Sequence, residues 1–67
     1  MAELENRVRE AREAKGWTQA QLAERIGVSR KTVNTVENGV FIPSTVVALK
    51  LAAALGTSVE ALFSLIE

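Results

Sequence analysis

The sequence has no histidine, no cysteine and no tyrosine, and it has one proline and one tryptophan among its 67 residues. Without cysteine or histidine the chain lacks the usual soft ligands for zinc, copper or an iron–sulfur cluster. It also lacks the most common general base, which excludes Ser-His, Cys-His and metal-assisted hydrolysis. The absence of disulfides suits a reducing cytosol. We therefore expect no metal, no cofactor and no enzymatic activity.

A long apolar segment is also missing. The longest such stretch, residues 46–55, is interrupted by Lys50 and is far shorter than the ~20 residues of a membrane helix. The acidic N-terminus has no hydrophobic region of the kind found in signal peptides. A chain of 7.2 kDa is one domain, and 48% apolar residues favour folding. We expect a soluble, cytoplasmic protein that does not bind a membrane.

The chain carries no excess of either charge, because eight basic residues balance eight acidic ones. This sum provides no global attraction to nucleic acid. The charges are unevenly distributed, however. Residues 7–31 hold seven basic and three acidic side chains, a net charge of +4, and the remaining residues carry −4. The neutral total thus conceals a basic segment and predicts few phosphate contacts, with a shallow salt dependence of DNA affinity.

Apolar periodicity predicts five helices, and no run alternates with a period of two, so we expect no sheet. Leu4, Val8 and Ala11 are spaced as the stripe of a first helix that ends at Gly16. A fourth helix should begin after Ser44 and run to residue 55. It is apolar on nearly all sides and should form the buried centre. A fifth helix should start at residue 57 or 58. Its apolar stripe comprises Val59, Leu62, Phe63 and Ile66.

Two short helices lie between the first and the fourth. Thr18 and Gln21 have the spacing of a capping box at the start of the second helix. Gly27 ends that helix after barely two turns, and Ser29 is placed to cap a third helix almost at once. This arrangement is a helix-turn-helix, in which the second helix of the pair lies in the major groove of DNA.

Short motifs on this framework resemble the XRE-type helix-turn-helix family of phage repressors and Cro. They are Thr18-Gln19, Gly27-Val28-Ser29, Glu37-Asn38-Gly39, Pro43-Ser44 and Leu55-Gly56. The resemblance covers residues 4–66 and implies an all-α, five-helix, lambda-repressor-like domain over residues 1–67, with the helix-turn-helix unit at about 18–37.

The same resemblance implies sequence-specific binding of double-stranded DNA. Such proteins usually bind as two-fold dimers to pseudo-palindromic operators with half-sites ~34 Å apart. We expect a homodimeric transcriptional repressor at the nucleoid. The alternatives are a restriction–modification controller, or a protein-interaction module on the same fold, such as an antitoxin or a coactivator-like domain.

The family pattern assigns DNA contacts to the second and third helices. Arg30 and Lys31 lie on the outward face, and an arginine suits guanine O6 and N7 or a phosphate. Which of the two contacts bases stays open. Asn34 suits adenine N6 and N7. The candidate DNA-binding residues are Gln19, Ser29, Arg30, Lys31, Thr32, Asn34, Thr35 and Asn38. Three of them have a structural alternative: Ser29 suits a helix cap, Thr32 suits packing beside Val28, and Asn38 suits a turn.

Glu37 has a different expected role. In the family this carboxylate pairs with an arginine of the first helix, and Arg12 stands at the matching position. The resemblance therefore implies a structural ion pair between Arg12 and Glu37, which joins the first helix to the third and does not contact DNA.

Some apolar residues should stay exposed, because a chain this short buries only about 60% of its unfolded surface. Phe41, Ile42, Leu65 and Ile66 are candidates for a dimer interface. Relatives often have a basic residue at position 40 and a polar residue at 42, whereas this chain has Val40 and Ile42. These differences weaken the case for a phosphate contact from this connection and favour an apolar contact with another chain.

Overall fold

The computed structural model describes residues 3–66, which form five helices and two short strands. In chain order the elements are β1 (Leu4–Asn6), α1 (Val8–Ala14), α2 (Gln19–Ile26), α3 (Arg30–Glu37), α4 (Thr45–Leu55), α5 (Val59–Leu62) and β2 (Phe63–Leu65). The prediction of a mostly helical domain with five helices is confirmed. The prediction that it contains no sheet was wrong.

The sheet consists of β1 paired antiparallel with β2, so that Leu4 lies opposite Leu65 and Asn6 lies opposite Phe63. Leu4 therefore belongs to a strand and not to the first helix, and the fifth helix ends at Leu62. Apolar spacing of three or four residues suited a helix at both ends of the chain. Pairing with a segment distant in sequence overrides that local signal over these three-residue stretches.

Asn6 links the sheet to the helices. Its Oδ1 accepts a hydrogen bond from the Val8 N–H at the start of α1 (3.2 Å), and its Nδ2 donates to the Val36 carbonyl near the end of α3 (2.9 Å). One side chain thus satisfies two backbone groups that would otherwise need other partners. The link fixes the small sheet against the end of α3.

Side-chain caps form at the starts of four helices. Thr18 accepts a hydrogen bond from the Gln21 N–H, and the Gln21 side chain accepts one from the Thr18 N–H, which completes the predicted capping box. Ser29 and Ser44 cap α3 and α4 as predicted, and Ser58 caps α5. Each cap satisfies a backbone N–H that has no partner inside its helix.

The core lies between the helices and the sheet, and its buried members are all apolar. They are Val8, Leu22, Ala23, Ile26, Val33, Val36, Ala48, Leu51, Ala52, Leu55, Leu62 and Phe63.

Helix α4 is buried on one side only. Leu51 is 1% exposed, whereas Val46 and Leu49 are 60% and 58% exposed. The expectation that α4 is the buried centre was correct for one face and wrong for the other, because a small domain has too few elements to cover an all-apolar helix. Among residues 3–66 no helix has the length and apolar character needed to cross a membrane.

Candidate nucleic-acid interface

The turn between α2 and α3 sets the position of α3. Gly27 has φ 72° and ψ 35°, a left-handed conformation that glycine adopts without a steric penalty. The next residue, Val28, donates from its N–H to the Ala23 carbonyl (3.0 Å), which closes the end of α2. Ala23 is buried. This turn allows α3 to begin at Arg30, only three residues after Gly27.

Helix α3 buries one face and presents the other to solvent. Val33 and Val36 are 2% and 1% exposed, and they hold α3 against the core. Arg30 and Lys31 are exposed. The remaining DNA-binding candidates on α3, Thr32, Asn34 and Thr35, are half-buried. Helix α3 is therefore a rigid support for a mixed cationic and polar face.

Side-chain hydrogen bonds connect four of the predicted DNA-binding residues. Gln19 Nε2 and Asn38 Nδ2 both donate to Asn34 Oδ1, each at 3.2 Å. Arg30 Nη1 lies 3.5 Å from Gln19 Oε1, at the limit of a hydrogen bond. Because two donors already occupy Asn34 Oδ1, its amide NH2 is the group left for a base. That group suits an acceptor such as guanine O6 or thymine O4, and a bidentate contact with adenine would require one of these bonds to break.

The Glu37 carboxylate lies beneath these amides, with its side chain fully buried. Arg12 donates from Nε to Oε2 (2.7 Å) and from Nη2 to Oε1 (3.2 Å), the ion pair expected between α1 and α3. Oε1 also accepts hydrogen bonds from Arg9 Nε (3.3 Å) and Gln19 Nε2 (3.1 Å). A further hydrogen bond, from Arg12 Nη1 to the Trp17 carbonyl (2.7 Å), connects α1 to the segment before α2. We call Arg9, Arg12, Gln19, Asn34 and Glu37 the polar junction.

The polar junction determines the pKa of Glu37. Burial raises that pKa, but hydrogen bonds from Arg12, Gln19 and Arg9, together with the charge of Arg12, favour the carboxylate more strongly. The pKa of Glu37 consequently lies below its ordinary value. The hydrogen bond to Glu37 raises the pKa of Arg12. Both groups are charged at neutral pH, so the buried pair is ionic.

Sequence reasoning missed several cationic contacts. Arg9 also donates from Nη2 to Asn38 Oδ1 (2.9 Å), and Arg9 precedes Arg12 by three residues, which places both on one face of α1. That spacing was a usable signal. Arg25 lies over the Trp17 ring, with its Cζ 4.1 Å from the ring centroid. Part of the basic charge of residues 7–31 is therefore engaged within the protein.

The four predicted dimer residues are all exposed but do not form one patch. Ile42 lines a groove with Leu4 and Phe63, and Leu65 is the cross-strand partner of Leu4, so Ile42 and Leu65 lie near one another. Phe41 lies between two grooves, since it lines this groove and another beside α3. Neighbouring residues of a strand point to opposite faces. The ladder extends to Ile66, whose N–H donates to the Glu3 carbonyl (2.9 Å), and this places Ile66 on the face opposite to Leu65.

An exposed apolar residue that sequence reasoning assigned to the core extends the same region. Leu49 lines a second groove that shares Leu4, Pro43 and Phe63 with the first. We call Ile42, Leu49 and Leu65 the apolar surface. They are 67%, 58% and 75% exposed. Periodicity could not show which side of the uniformly apolar α4 faces outward.

Comparison with known proteins identifies the family. Residues 8–62 match the helix-turn-helix family. The chain is 39% identical over 64 residues to the uncharacterized HTH-type transcriptional regulator YgzD of Bacillus subtilis, covering 96% of this chain and 97% of that protein. It is 44% identical over 61 residues to an uncharacterized HTH-type transcriptional regulator of Methanothermobacter thermautotrophicus, covering 90% and 88%.

A solved structure agrees with this assignment. The restriction-modification controller protein C.AhdI of Aeromonas hydrophila superimposes with a TM-score of 0.76 at 42% identity, over 81% of this chain and 82% of that one. These relatives are described as transcriptional regulators or controllers and not as enzymes. The polar outward face of α3, the capped helix pair and these matches lead to one conclusion: the chain belongs to the XRE-type helix-turn-helix family of DNA-binding transcriptional regulators.

Proposed function

We propose that this chain is a homodimeric transcriptional repressor that binds a pseudo-palindromic site in double-stranded DNA, at the nucleoid in the cytoplasm. Residues 1–67 act as one DNA-binding domain in this proposal. The observation that carries it is the outward face of α3, where Arg30 and Lys31 are exposed beside amides held by hydrogen bonds. A preorganised polar face on a rigid helix suits readout of base edges in the major groove.

The proposed DNA contacts differ in the chemical group that each side chain recognises. Arg30 is the proposed guanine contact, and Lys31 the proposed phosphate contact, because a guanidinium matches guanine O6 and N7 with two donors. Asn34 is the second base contact. Gln19 is a positioning residue, since its amide nitrogen donates to Asn34 and to Glu37. The remaining members of the proposed interface are Ser29, Thr32, Thr35 and Asn38.

The apolar surface supports the homodimer. Ile42, Leu49 and Leu65 are large apolar side chains that are mostly in water in the isolated chain, and such patches mark interaction sites. A second copy placed by a two-fold axis would cover the same surface on both chains. This surface comprises the connection after α3, one side of α4 and the sheet, so it leaves the outward face of α3 free for DNA.

A titration tests the proposal. Duplexes selected from a random pool are titrated with the full chain and followed by fluorescence anisotropy. The best duplex should bind at least ~10³-fold more tightly than bulk DNA, and Arg30→Ala should weaken it by about 1–3 kcal/mol and relax the preference at one base. Lys50→Ala removes the same charge from the exposed side of α4 and should leave affinity unchanged. Failure of any sequence to exceed bulk DNA would reject the proposal.

A protein-interaction module is the second candidate function. The observation that favours it is the connection after α3, where Val40 and Ile42 are 79% and 67% exposed in a chain with no net charge. In that case Ile42→Ser should abolish capture of a different protein, and Arg30→Ala should not affect DNA affinity. The similarity to C.AhdI likewise makes restriction–modification control a specific form of the main proposal.

A further inference from the structure

We propose that Thr32, Thr35, Val40 and Phe41 form a methyl slot, which recognises the C5-methyl group of a pyrimidine, that of thymine or of 5-methylcytosine, in the major groove. This inference rests on the proposed function and specifies which feature of the DNA one side of α3 contacts. It assigns a role in base recognition to Val40 and Phe41, which lie in the connection after α3.

The slot is a groove of about 320 Å³ beside α3. The described residues that line it are Ser29, Lys31, Thr32, Thr35, Val40 and Phe41. None of these six is acidic, and Lys31 contributes a positive charge at the edge of the groove. That charge complements a phosphate backbone and would have no partner on an apolar protein surface. The groove is continuous with the outward face of α3, because Lys31 belongs to both.

Backbone hydrogen bonds hold the connection against α3. The N–H groups of Val40 and Phe41 both donate to the Thr35 carbonyl, at 3.0 and 3.2 Å. Gly39, with φ 73°, permits this reversal of the chain directly after the helix. The side chains of Val40 and Phe41 are nevertheless 79% and 49% exposed. The connection is thus fixed in position while its two apolar side chains contribute little to the core.

The hydroxyl groups in the slot are already engaged. Thr35 Oγ1 lies 3.0 Å from the Lys31 carbonyl and 3.1 Å from the Thr32 carbonyl, so it donates back into its own helix. Thr32 Oγ1 and Ser29 Oγ form a hydrogen bond of 2.9 Å, and Ser29 Oγ also accepts from the Thr32 N–H. The apolar groups in the groove are the threonine methyls and the side chains of Val40 and Phe41, and the polar groups still free there are the Lys31 ammonium and one hydroxyl hydrogen of the Ser29–Thr32 pair.

The major groove offers one apolar group that matches such a slot. Thymine carries a C5-methyl on its major-groove edge, and no other unmodified base has an alkyl group there. Methylation of cytosine at C5 creates the same group. The two sides of α3 therefore differ in what they contact, with Asn34 and Arg30 facing hydrogen-bonding edges and the methyl slot facing methyl groups.

Removing or adding single methyl groups in the DNA tests the slot. Each thymine of the selected duplex is replaced in turn by deoxyuridine, which lacks the methyl, and each cytosine by 5-methylcytosine. At a slot position we expect the loss of a thymine methyl to weaken binding about fourfold, the effect of one buried methyl group. If methylcytosine is the natural target, its introduction should strengthen binding by a similar factor at one cytosine.

Two conservative variants identify the residues. Val40→Thr replaces one methyl by a hydroxyl, and Thr35→Ser removes a methyl but keeps the internal hydrogen bonds. Each should reduce the thymine-to-deoxyuridine ratio at the slot position from about fourfold to near one, whereas Asn34→Ala should lower affinity and leave that ratio unchanged. Sedimentation equilibrium on each variant should show unaltered dimerisation.

Three outcomes would overturn the inference. If specific binding persists and no methyl change alters it, the slot is wrong and the proposed function stands. If Val40→Thr alters dimerisation and not the ratio, the groove belongs to the dimer interface. If no duplex is bound specifically, both the slot and the proposed function fail.

Discussion

The polar junction and the apolar surface lie in different parts of the fold. They differ in how far the chain itself supplies partners for their side chains. In the polar junction a buried carboxylate accepts hydrogen bonds from three side chains, and among the described residues no buried side-chain nitrogen or oxygen lacks a partner. In the apolar surface, Ile42, Leu49 and Leu65 remain mostly in water. The polar groups of the junction find their partners within one chain, whereas the apolar surface is buried only if another molecule covers it.

This difference indicates that the two regions have separate roles in a small domain. An unpaired buried charge is very costly, so the ionic groups that position α3 must be satisfied before DNA arrives. An exposed leucine costs far less, so apolar area can be left for a partner. In the proposed function, preorganisation for DNA depends on the polar junction, and dimer assembly depends on the apolar surface.

The largest expected effect breaks the polar junction. Glu37→Gln keeps the shape of the side chain but leaves the Arg12 charge without its partner, and it should lower the free energy of unfolding by about 3–5 kcal/mol. Urea denaturation at fixed protein concentration measures this. Glu24→Gln on the exposed side of α2 is the control and should change stability by less than about 0.5 kcal/mol. A loss below about 1 kcal/mol for Glu37→Gln would show that solvent screens the pair.

Two leucines on α4 sharpen the contrast between core and apolar surface. Leu51→Ala creates a cavity and should cost about 2–5 kcal/mol of folding stability. Leu49→Ala should cost less than about 0.5 kcal/mol in the monomer and weaken the proposed dimer by on the order of 1–2 kcal/mol. Urea denaturation and sedimentation equilibrium separate the two effects. Unchanged self-association in Leu49→Ala would place the dimer interface elsewhere.

Acid should weaken the polar junction selectively. Because the pKa of Glu37 is lower in the folded chain than in the unfolded chain, its stabilising contribution is complete above the ordinary glutamate pKa of about 4.3. The contribution is lost as the pH falls through the folded pKa, with a slope of up to about 1.4 kcal/mol per pH unit. Urea midpoints between pH 7 and pH 3 should show this slope in the native chain. Glu37→Gln should lack it, and identical slopes in the two proteins would contradict the assignment.

The smallest expected effect concerns a cation outside both regions. Arg25→Gln removes the guanidinium stacked on Trp17 and should cost about 0.5–1 kcal/mol, which lowers Tm by about 2–8 °C in a domain of this size. Lys15→Gln is the comparison, since Lys15 Nζ lies farther from the ring centroid, at 5.9 Å. Thermal denaturation should rank Arg25→Gln as the more destabilising change. Equal shifts would mean that general charge, and not stacking, stabilises the native chain.

Local chemistry made much of the fold predictable. Thr18, Ser29 and Ser44 begin helices because a side-chain oxygen reaches a backbone N–H only three residues away. Such signals need no knowledge of the rest of the chain. The strands were missed because Leu4 and Leu65 become partners only through tertiary structure. The exposed side of α4 was missed for a related reason, since an all-apolar helix does not indicate which face its neighbours cover.

The sequence predicted which residue types form the candidate site better than it predicted the hydrogen bonds between them. The outward position of Arg30 and Lys31 follows from the burial of Val33 and Val36. The hydrogen bonds from Gln19 to Asn34 and Glu37 depend on how α2 crosses α3. A sequence pattern carries no information at that precision.

The antiparallel pairing of β1 with β2 has a consequence for the order of folding. Residues 4–6 and 63–65 meet only after almost the whole chain has closed into a loop, and the entropy cost of closure grows with loop length. Contacts within the helix-turn-helix, in contrast, span few residues and can form early. We therefore expect the sheet to assemble after the rate-limiting step. A substitution such as Leu4→Ala should then accelerate unfolding and leave the folding rate nearly unchanged.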